Sequence, residues 1–343
     1  MSYLQPKKNL TQFILFCTLL LVMKNIMKSI CVLYNKPEDI SNECDIDTQN
    51  SAISICGELN DVGYDAQVLG ISTSEIDKVE KIRTDIVFNL VEWTGRNIKF
   101  GVEVIKILEK RKIPFTGSGS WGFLLSSDKV MMKREMVRNG IPTPKLKFPA
   151  IVKPSLEHCG IGISQNSIAR DEIEMRDKAR ELTEKYNQPV ISEEFIEGRE
   201  LQVTILEKNG RPWVLPVAEV VFDKPKLVLS YEMKWVEKSP EYNLARMEPA
   251  KLDQRLKIEI EKIAKKCYLK LGGRDYPRLD LRVRSEEIFV LEINNNPGLD
   301  WDLDSGMGIS ARLAGFKSYR EVLSHIVENA YSRFMHTYDA SFL

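Results

Sequence analysis

Histidine is scarce. Three occur in 343 residues, His158, His325 and His336. They are too few and too scattered for a histidine-built metal centre, so any metal would be a hard cation on oxygen ligands. Cysteine offers no framework either. The six, at 17, 31, 44, 56, 159 and 267, include no C-x-x-C pair. Neither a disulfide scaffold nor a zinc site is expected, and a reducing, cytoplasmic compartment is. Net charge is also missing, with 49 basic residues against 49 acidic. That leaves no electrostatic footprint for bulk nucleic acid or a membrane surface. Long apolar runs are lacking as well. Phe13 to Met23 (FILFCTLLLVM) is shorter than the roughly 20 residues of a membrane span. It has the form of a signal-peptide core after Lys7 and Lys8, yet no small-x-small cleavage site follows. Translation from Met23 or Met27 is a third reading, and residues 1–27 are set apart as an extension whose role as anchor or signal stays open. Repeats and low-complexity stretches are absent.

What is present is a soluble, globular composition, 43% hydrophobic and 29% charged, in a chain long enough for two or three packed units. KSICVLYN reads as a first parallel strand, and residues 48–62 carry apolar positions at helical spacing that end at Gly63. YDAQVLGI and DIVFNLV (85–91) read as strands, and VEVIKILEKRK as a helix before IPFTGSGS. This alternation predicts an open α/β domain, with ligands at the carboxyl ends of its strands, where Glu92 and Thr94-Gly95 fall. SSDKVMMKREMVRNG predicts one helix, capped by Ser126 or Ser127 and closed by Gly140 and Pro142. FPAIVKPS predicts a strand leading into a glycine-containing hairpin loop, EHCGIGIS. Residues 190–206 predict two strands around a Glu-Gly turn. Lys251 to Leu271 predicts a helix stopped by Gly272-Gly273, and YREVLSHIVENAYSRFM a closing amphipathic helix.

The run RLDLRVRSEEIFVLEIN (278–294) sets two carboxylates inside apolar strands. With Ser285-Glu286-Glu287 as a three-residue turn, Leu279 faces Ile293, Leu281 faces Leu291 and Val283 faces Phe289, an apolar face that fixes the register. The other face pairs Asp280 with Glu292 and Arg278 with Asn294. Opposed side chains have Cβ atoms roughly 4.5–5.5 Å apart. Two carboxylates so placed repel unless one is protonated or a cation lies between them. Asp, Glu and Asn together suit Mg²⁺, which takes one or two carboxylates plus phosphate oxygens. The bland alternative is the solvated polar face of an edge hairpin.

These residues resemble a family. R-x-D followed by E-x-N-x-x-P-G, with eleven residues between the Asp and the Glu, is similar to the metal end of ATP-grasp ligases, and of the D-alanine–D-alanine ligases in particular. DIVFNLVE, IPFTGSGS, SSDKVMMKREMVRNGIPTP, PAIVKPS, EEFIEGREL and YPRLDLR match that family's pattern in the same order, from about Lys28 to the C-terminal helix. The resemblance implies an N-terminal α/β substrate domain with an open parallel sheet (28–120), followed by a two-lobed ATP-grasp fold: a central lobe (121–198) and a C-terminal lobe (199–343) carrying the metal and substrate site.

It also implies roles. Lys129 and Lys153 would hold the ATP phosphates. Glu157 to Gly162 would be the loop that closes over the triphosphate. Glu193 would lie at the adenine edge, with the Glu194–Ile196 backbone as hinge, and Glu200 would accept from the ribose. Asp280, Glu292 and Asn294 would ligate Mg²⁺, or Mn²⁺. Arg278 would stabilise an oxyanion, and Lys234 would sit on a mobile covering loop. The implied reaction is ATP-dependent amide-bond formation between a small carboxylate and an amine, amino acids foremost, through an acyl phosphate. The alternative is a nucleotide-binding module without turnover. Nucleic acid and membrane are not implied as partners, and a homodimer is left open.

The departures concern the substrate. LYNKPEDI replaces the family's glycine-rich loop, leaving Glu38 as the candidate acid. Glu92 stands where the family has a histidine, and His158-Cys159 where it has small residues. PGLDWDLDSG, after Gly298, puts Leu303 in place of a carboxylate-binding serine, with Asp300, Asp302 and Asp304 around it. Acids there would repel a free carboxylate and favour a cation.

Overall fold

The computed structural model describes residues 29–37, 43–92, 97–224, 228–303 and 305–339. Readings placed on the N-terminal run, on Glu38, on Thr94-Gly95 and on Asp304 therefore lie outside the described residues.

The first unit is a three-stranded parallel sheet in the order β2-β1-β3. Its strands are β1 (Ser29–Asn35), β2 (Asp65–Ile71) and β3 (Ile86–Asn89), with α1 (Glu43–Asp61), the short α2 (Asp77–Glu80) and α3 (Ile98–Arg111) between and after them. Parallel sheets bury both faces. Here Ile30 and Val32 pack towards α1 with Ala52, Ile55 and Leu59, while Leu33 and Val87 pack towards α3 with Ile105 and Leu108. Gly63 ends α1 at a φ of 95°, as its position in the sequence suggests.

The helix expected over 126–140 is two helices, α4 (Ser120–Ser127) and α5 (Lys129–Arg138). The cap is Asp128, not Ser126 or Ser127. Its carboxylate accepts from the N–H groups of Val130 and Met131 at 2.9 and 3.1 Å, satisfying donors that a helix start leaves open. Both serines instead bond back to the Phe123 carbonyl. At Gly122, α4 approaches Gly272 so closely that a Cβ would stand 2.5 Å from the Gly272 carbonyl oxygen.

A second sheet, β5-β4-β6, is antiparallel. It holds β4 (Ala150–Pro154), β5 (Ile168–Ala169) and β6 (Val190–Glu194), and is covered by α6 (Glu172–Tyr186). The third sheet runs β10-β9-β7-β11-β12, with β8 paired to β7. Its members are β7 (Arg199–Lys208), β8 (Arg211–Val214), β9 (Ala218–Phe222), β10 (Ala245–Pro249), β11 (Arg278–Arg284) and β12 (Glu287–Asn294). The helix α7 (Tyr231–Trp235) lies between β9 and β10, and α8 (Gln254–Lys270) between β10 and β11. Leu256, Ile260, Ala264 and Cys267 of α8 pack on Leu201, Val203, Leu279 and Leu281. The chain closes with α9 (Gly306–Leu313) and α10 (Tyr319–Asp339). The latter returns to the first unit, where Arg320 pairs with Glu58 and Asp61 of α1 at 2.6 and 2.5 Å.

The hairpin register is half as expected. Arg278 faces Asn294, Leu279 faces Ile293 and Asp280 faces Glu292. Beyond Asp280 the pairing shifts: Leu281 meets Val290 and Val283 meets Ile288. The turn has two residues, not three. Ser285 and Glu286 both sit at positive φ, 46° and 72°, which matches the strand twist as other two-residue turns do. A β-bulge absorbs the spare residue. Leu291, expected opposite Leu281, instead lines the central cavity.

Candidate active site

A cavity of about 780 Å³ is walled by strands of the second and third sheets, with Asp47 and Glu92 contributed by the first unit. It gathers Glu92, Lys129, Lys153, Glu157, Glu193, Glu194, Ile196, Glu200, Lys234, Arg278, Asp280, Glu292, Asn294, Gly298 and Asp300. Leu303 is not on its wall and is 80% exposed.

Lys129 is the first residue of α5, and Lys153 lies near the end of β4. Both are buried. Lys129 donates to the Glu157 carbonyl. Lys153 Nζ stands 2.7 Å from Glu193 Oε1, and Lys133 Nζ stands 2.8 Å from Glu193 Oε2. Burial alone would push the Glu193 carboxyl up, but the two lysines hold it below its usual range. Its charge is therefore turned to these lysines. In the expected hinge, the N–H of Glu194 donates to the Lys145 carbonyl and that of Phe195 to the Pro149 carbonyl, while the Ile196 carbonyl accepts from Arg282 at 2.9 Å.

Glu200 is held by Arg282, whose Nε and Nη2 lie 3.0 and 2.6 Å from Glu200 Oε2. That guanidinium also lies over the rings of Phe195 and Phe222. Glu157 accepts from Gln188 at 2.7 Å. The loop that follows turns back on itself, with Ile161 N–H donating to the His158 carbonyl and Ile163 N–H to the Gly160 carbonyl. Cys159, Gly160 and Gly162 take positive φ there. The helix α7, which carries Lys234, fastens this loop: Trp235 Nε1 donates to the Cys159 carbonyl at 3.0 Å, and Tyr231 N–H to the Ile163 carbonyl at 3.2 Å. Cys159 is disulfide-bonded, whereas Cys31, Cys56 and Cys267 are free thiols.

The paired acids are not equivalent: Asp280 is buried and Glu292 half-buried. Asp280 receives Arg278 Nε and Nη2 at 2.8 and 3.1 Å, and Asn294 Nδ2 at 3.2 Å. Burial and the facing Glu292 still raise its carboxyl. Glu292 goes the other way: burial would raise it, but Lys129 and Lys153 outweigh that and bring it to about 2. One acid thus wants a cation or a proton while its neighbour stays charged, as expected of a divalent-cation pair. Two carboxylates and an amide oxygen are hard donors that fit Mg²⁺. Among the described residues no group of three His, Cys, Asp or Glu could hold a metal by itself. At the acceptor stretch, Asp47 of α1 is raised first by burial and then by the charge of Asp302, so these acids face each other across the cavity. Two fastenings fix the stretch: Asn295 Nδ2 donates to the Gly122 and Leu271 carbonyls, each at 2.8 Å, and Ser118 donates to Asn296 Oδ1 at 2.9 Å.

Sequence reasoning missed Lys133, Arg282, Leu291 and Asp47. Lys133 was findable one helical turn after Lys129, and Arg282 at the strand period after Arg278 and Asp280. The other two had no local signal.

Parallel first sheet, two antiparallel lobes and a lysine- and acid-lined cavity between those lobes define an ATP-grasp ligase. The family model "D-ala D-ala ligase C-terminus" matches residues 114–328. Protein y4sG of Sinorhizobium fredii is 31% identical, over 73% of this chain and 75% of its own length. The D-alanine–D-alanine ligase of Methylibium petroleiphilum is 30% identical, over 79% of this chain and 87% of its own. The crystal structure of the D-alanine–D-alanine ligase from Bacillus anthracis complexed with ATP superposes with a TM-score of 0.68 at 20% identity, covering 90% of this chain and 99% of that one, a likeness of fold. The chain belongs to the D-alanine–D-alanine ligase family and is an ATP-dependent carboxylate–amine ligase that forms C–N bonds. No helix among the described residues is long and apolar enough to cross a membrane.

Proposed function

We propose that this ligase joins an amino-acid-like carboxylate to an amine that carries positive charge, in place of a second D-alanine. The observation that carries this is the acidic lining of the cavity at Asp47, Asp300 and Asp302, where an incoming carboxylate would be repelled and a cation attracted. The reaction belongs in the cytoplasm, where ATP is available.

In the first step a carboxylate oxygen attacks the γ-phosphorus of ATP, the bond to the β-phosphate oxygen breaks, and ADP and an acyl phosphate form. In the second the amine attacks the acyl carbon, phosphate departs and the amine gives up a proton. Lys129 and Lys153 hold the phosphate oxygens as point charges, and Arg278 faces the oxyanion of the second step. Glu200 receives the ribose hydroxyls, and the Glu194–Ile196 segment borders the base. The loop from Glu157 to Gly162, with Lys234 above it, excludes water. Asp280, Glu292 and Asn294 would hold Mg²⁺, which neutralises charge on the phosphates. No protein nucleophile is needed; catalysis is positioning and charge neutralisation. The division of labour follows the sheets, with substrate on the first unit and nucleotide between the other two.

The test is phosphate release with ATP, Mg²⁺ and a panel of amino acids and diamines, followed by mass analysis of the product. A product containing a cationic amine is expected. If D-alanine alone turns over as fast as mixtures with amines, the acceptor assignment is wrong, and if no pair releases phosphate, so is the reaction.

A further inference from the structure

Glu193 is ion-paired to two buried lysines, Lys133 and Lys153, and the two are not used alike. Lys153 lines the cavity, and Lys133 does not. An ammonium has three hydrogens to donate. That of Lys133 donates to Thr143 Oγ1 at 2.7 Å and the Val290 carbonyl at 3.2 Å and is ion-paired to Glu193 Oε2 at 2.8 Å. Its contacts are thus within the protein, and Lys133 stays off the cavity wall. It is 9% exposed, and Glu193 2%, so their charges act in a poorly screened interior.

The charge balance gives Lys133 its use. Lys133, Glu193 and Lys153 sum to one positive charge, and the only member of the three with an ammonium on the cavity wall is Lys153. Take Lys133 away and Glu193 cancels Lys153. The cavity then loses about one unit of positive charge, although no residue touching the ligand has changed.

We infer that Lys133 is a positioning residue of this ligase: it neutralises Glu193 from behind, leaving the charge of Lys153 free for the phosphates of ATP. This rests on Lys153 being a phosphate-holding lysine, as proposed above. The same arithmetic gives a test that a merely structural lysine would not pass, since removing the acid together with Lys133 restores the balance.

The measurement is calorimetric affinity for ATP with Mg²⁺ and for adenosine, which has no phosphate, in the full chain. The readout is the ratio of the two affinities. Lys133→Met should lower that ratio roughly 10- to 100-fold, the size of one lost charge-assisted contact. Lys133→Met with Glu193→Gln should bring it back to the wild-type value. An unchanged ratio in the single variant, an equal loss for ATP and adenosine, or a double variant no better than the single one overturns the inference. Should the single variant fail to fold, the double decides: a wild-type ratio supports the inference and a depressed one refutes it. A wild-type chain that does not bind ATP overturns the reading of Lys153 itself.

Discussion

Glu200 and Arg282 allow a sharp test of what holds the nucleotide face together. The side chains are 11% and 5% exposed and meet through two contacts of 2.6 and 3.0 Å to one carboxylate oxygen. Glu200→Ala leaves the guanidinium buried with no carboxylate. Breaking a buried pair from one side typically costs about 3–5 kcal/mol. Other supports remain, among them the Ile196 carbonyl at 2.9 Å and the rings of Phe195 and Phe222, with centroids 4.9 and 5.7 Å away. They place the expected loss at the low end, about 3 kcal/mol. Replacing both partners, Glu200→Leu with Arg282→Met, removes the stranded charge and should cost far less. Urea unfolding without nucleotide at neutral pH gives all three values. If the single variant loses under about 1 kcal/mol, or the double loses as much as the single, this pair is not the buried, mutually dependent unit argued here.

Asp280→Asn should abolish Mg²⁺-dependent ADP release while leaving the urea midpoint within the range of ordinary surface changes; normal turnover would remove Asp280 from the metal site. Alkaline stability should carry a mark of Lys133. Burial, as the leading cause, lowers its ammonium from 10.5 to about 8. Between those values the unfolded chain holds a proton that the folded one has released, so stability gains as pH rises through that window, by up to about 3 kcal/mol from this group. Other groups titrate there too, so the wild type is compared with Lys133→Met, and parallel pH curves from pH 7.5 to 10.5 would exclude the effect.

The sequence revealed those features whose cause is local. Gly63 and Gly140 stop helices, period-two alternation opposes Asp280 to Glu292, and the open α/β character of the first unit follows from its strand–helix alternation. What it hid depends on partners distant in the chain. The two-residue turn at Ser285–Glu286 lacks the usual Asn-Gly signature, so an extra residue was assigned to the turn that the strand absorbs as a bulge. Asp128 takes the cap from two serines because a carboxylate reaches two N–H groups at once, while the serine hydroxyls bond back into the preceding turn. Asp47 comes from α1, more than two hundred residues before Asp302, and no spacing could join them. Lys133 had a helical signal, but its meaning required knowing that Glu193 lies beside it.

Lys129 opens α5, at the end of a helix where the peptide dipoles already point positive. A lysine is the wrong sign for that place. Burial and Lys153 weaken its hold on a proton further, and only nearby acids oppose them. Asp128 at the cap and Glu292, Glu157 and Glu193 nearby offset part of that cost. An anion bound there would relieve helix and lysine together, so the protein should be measurably hardier with nucleotide than without. The energy that distinguishes ATP from water is in this sense put aside during folding, in a helix started by the least convenient residue.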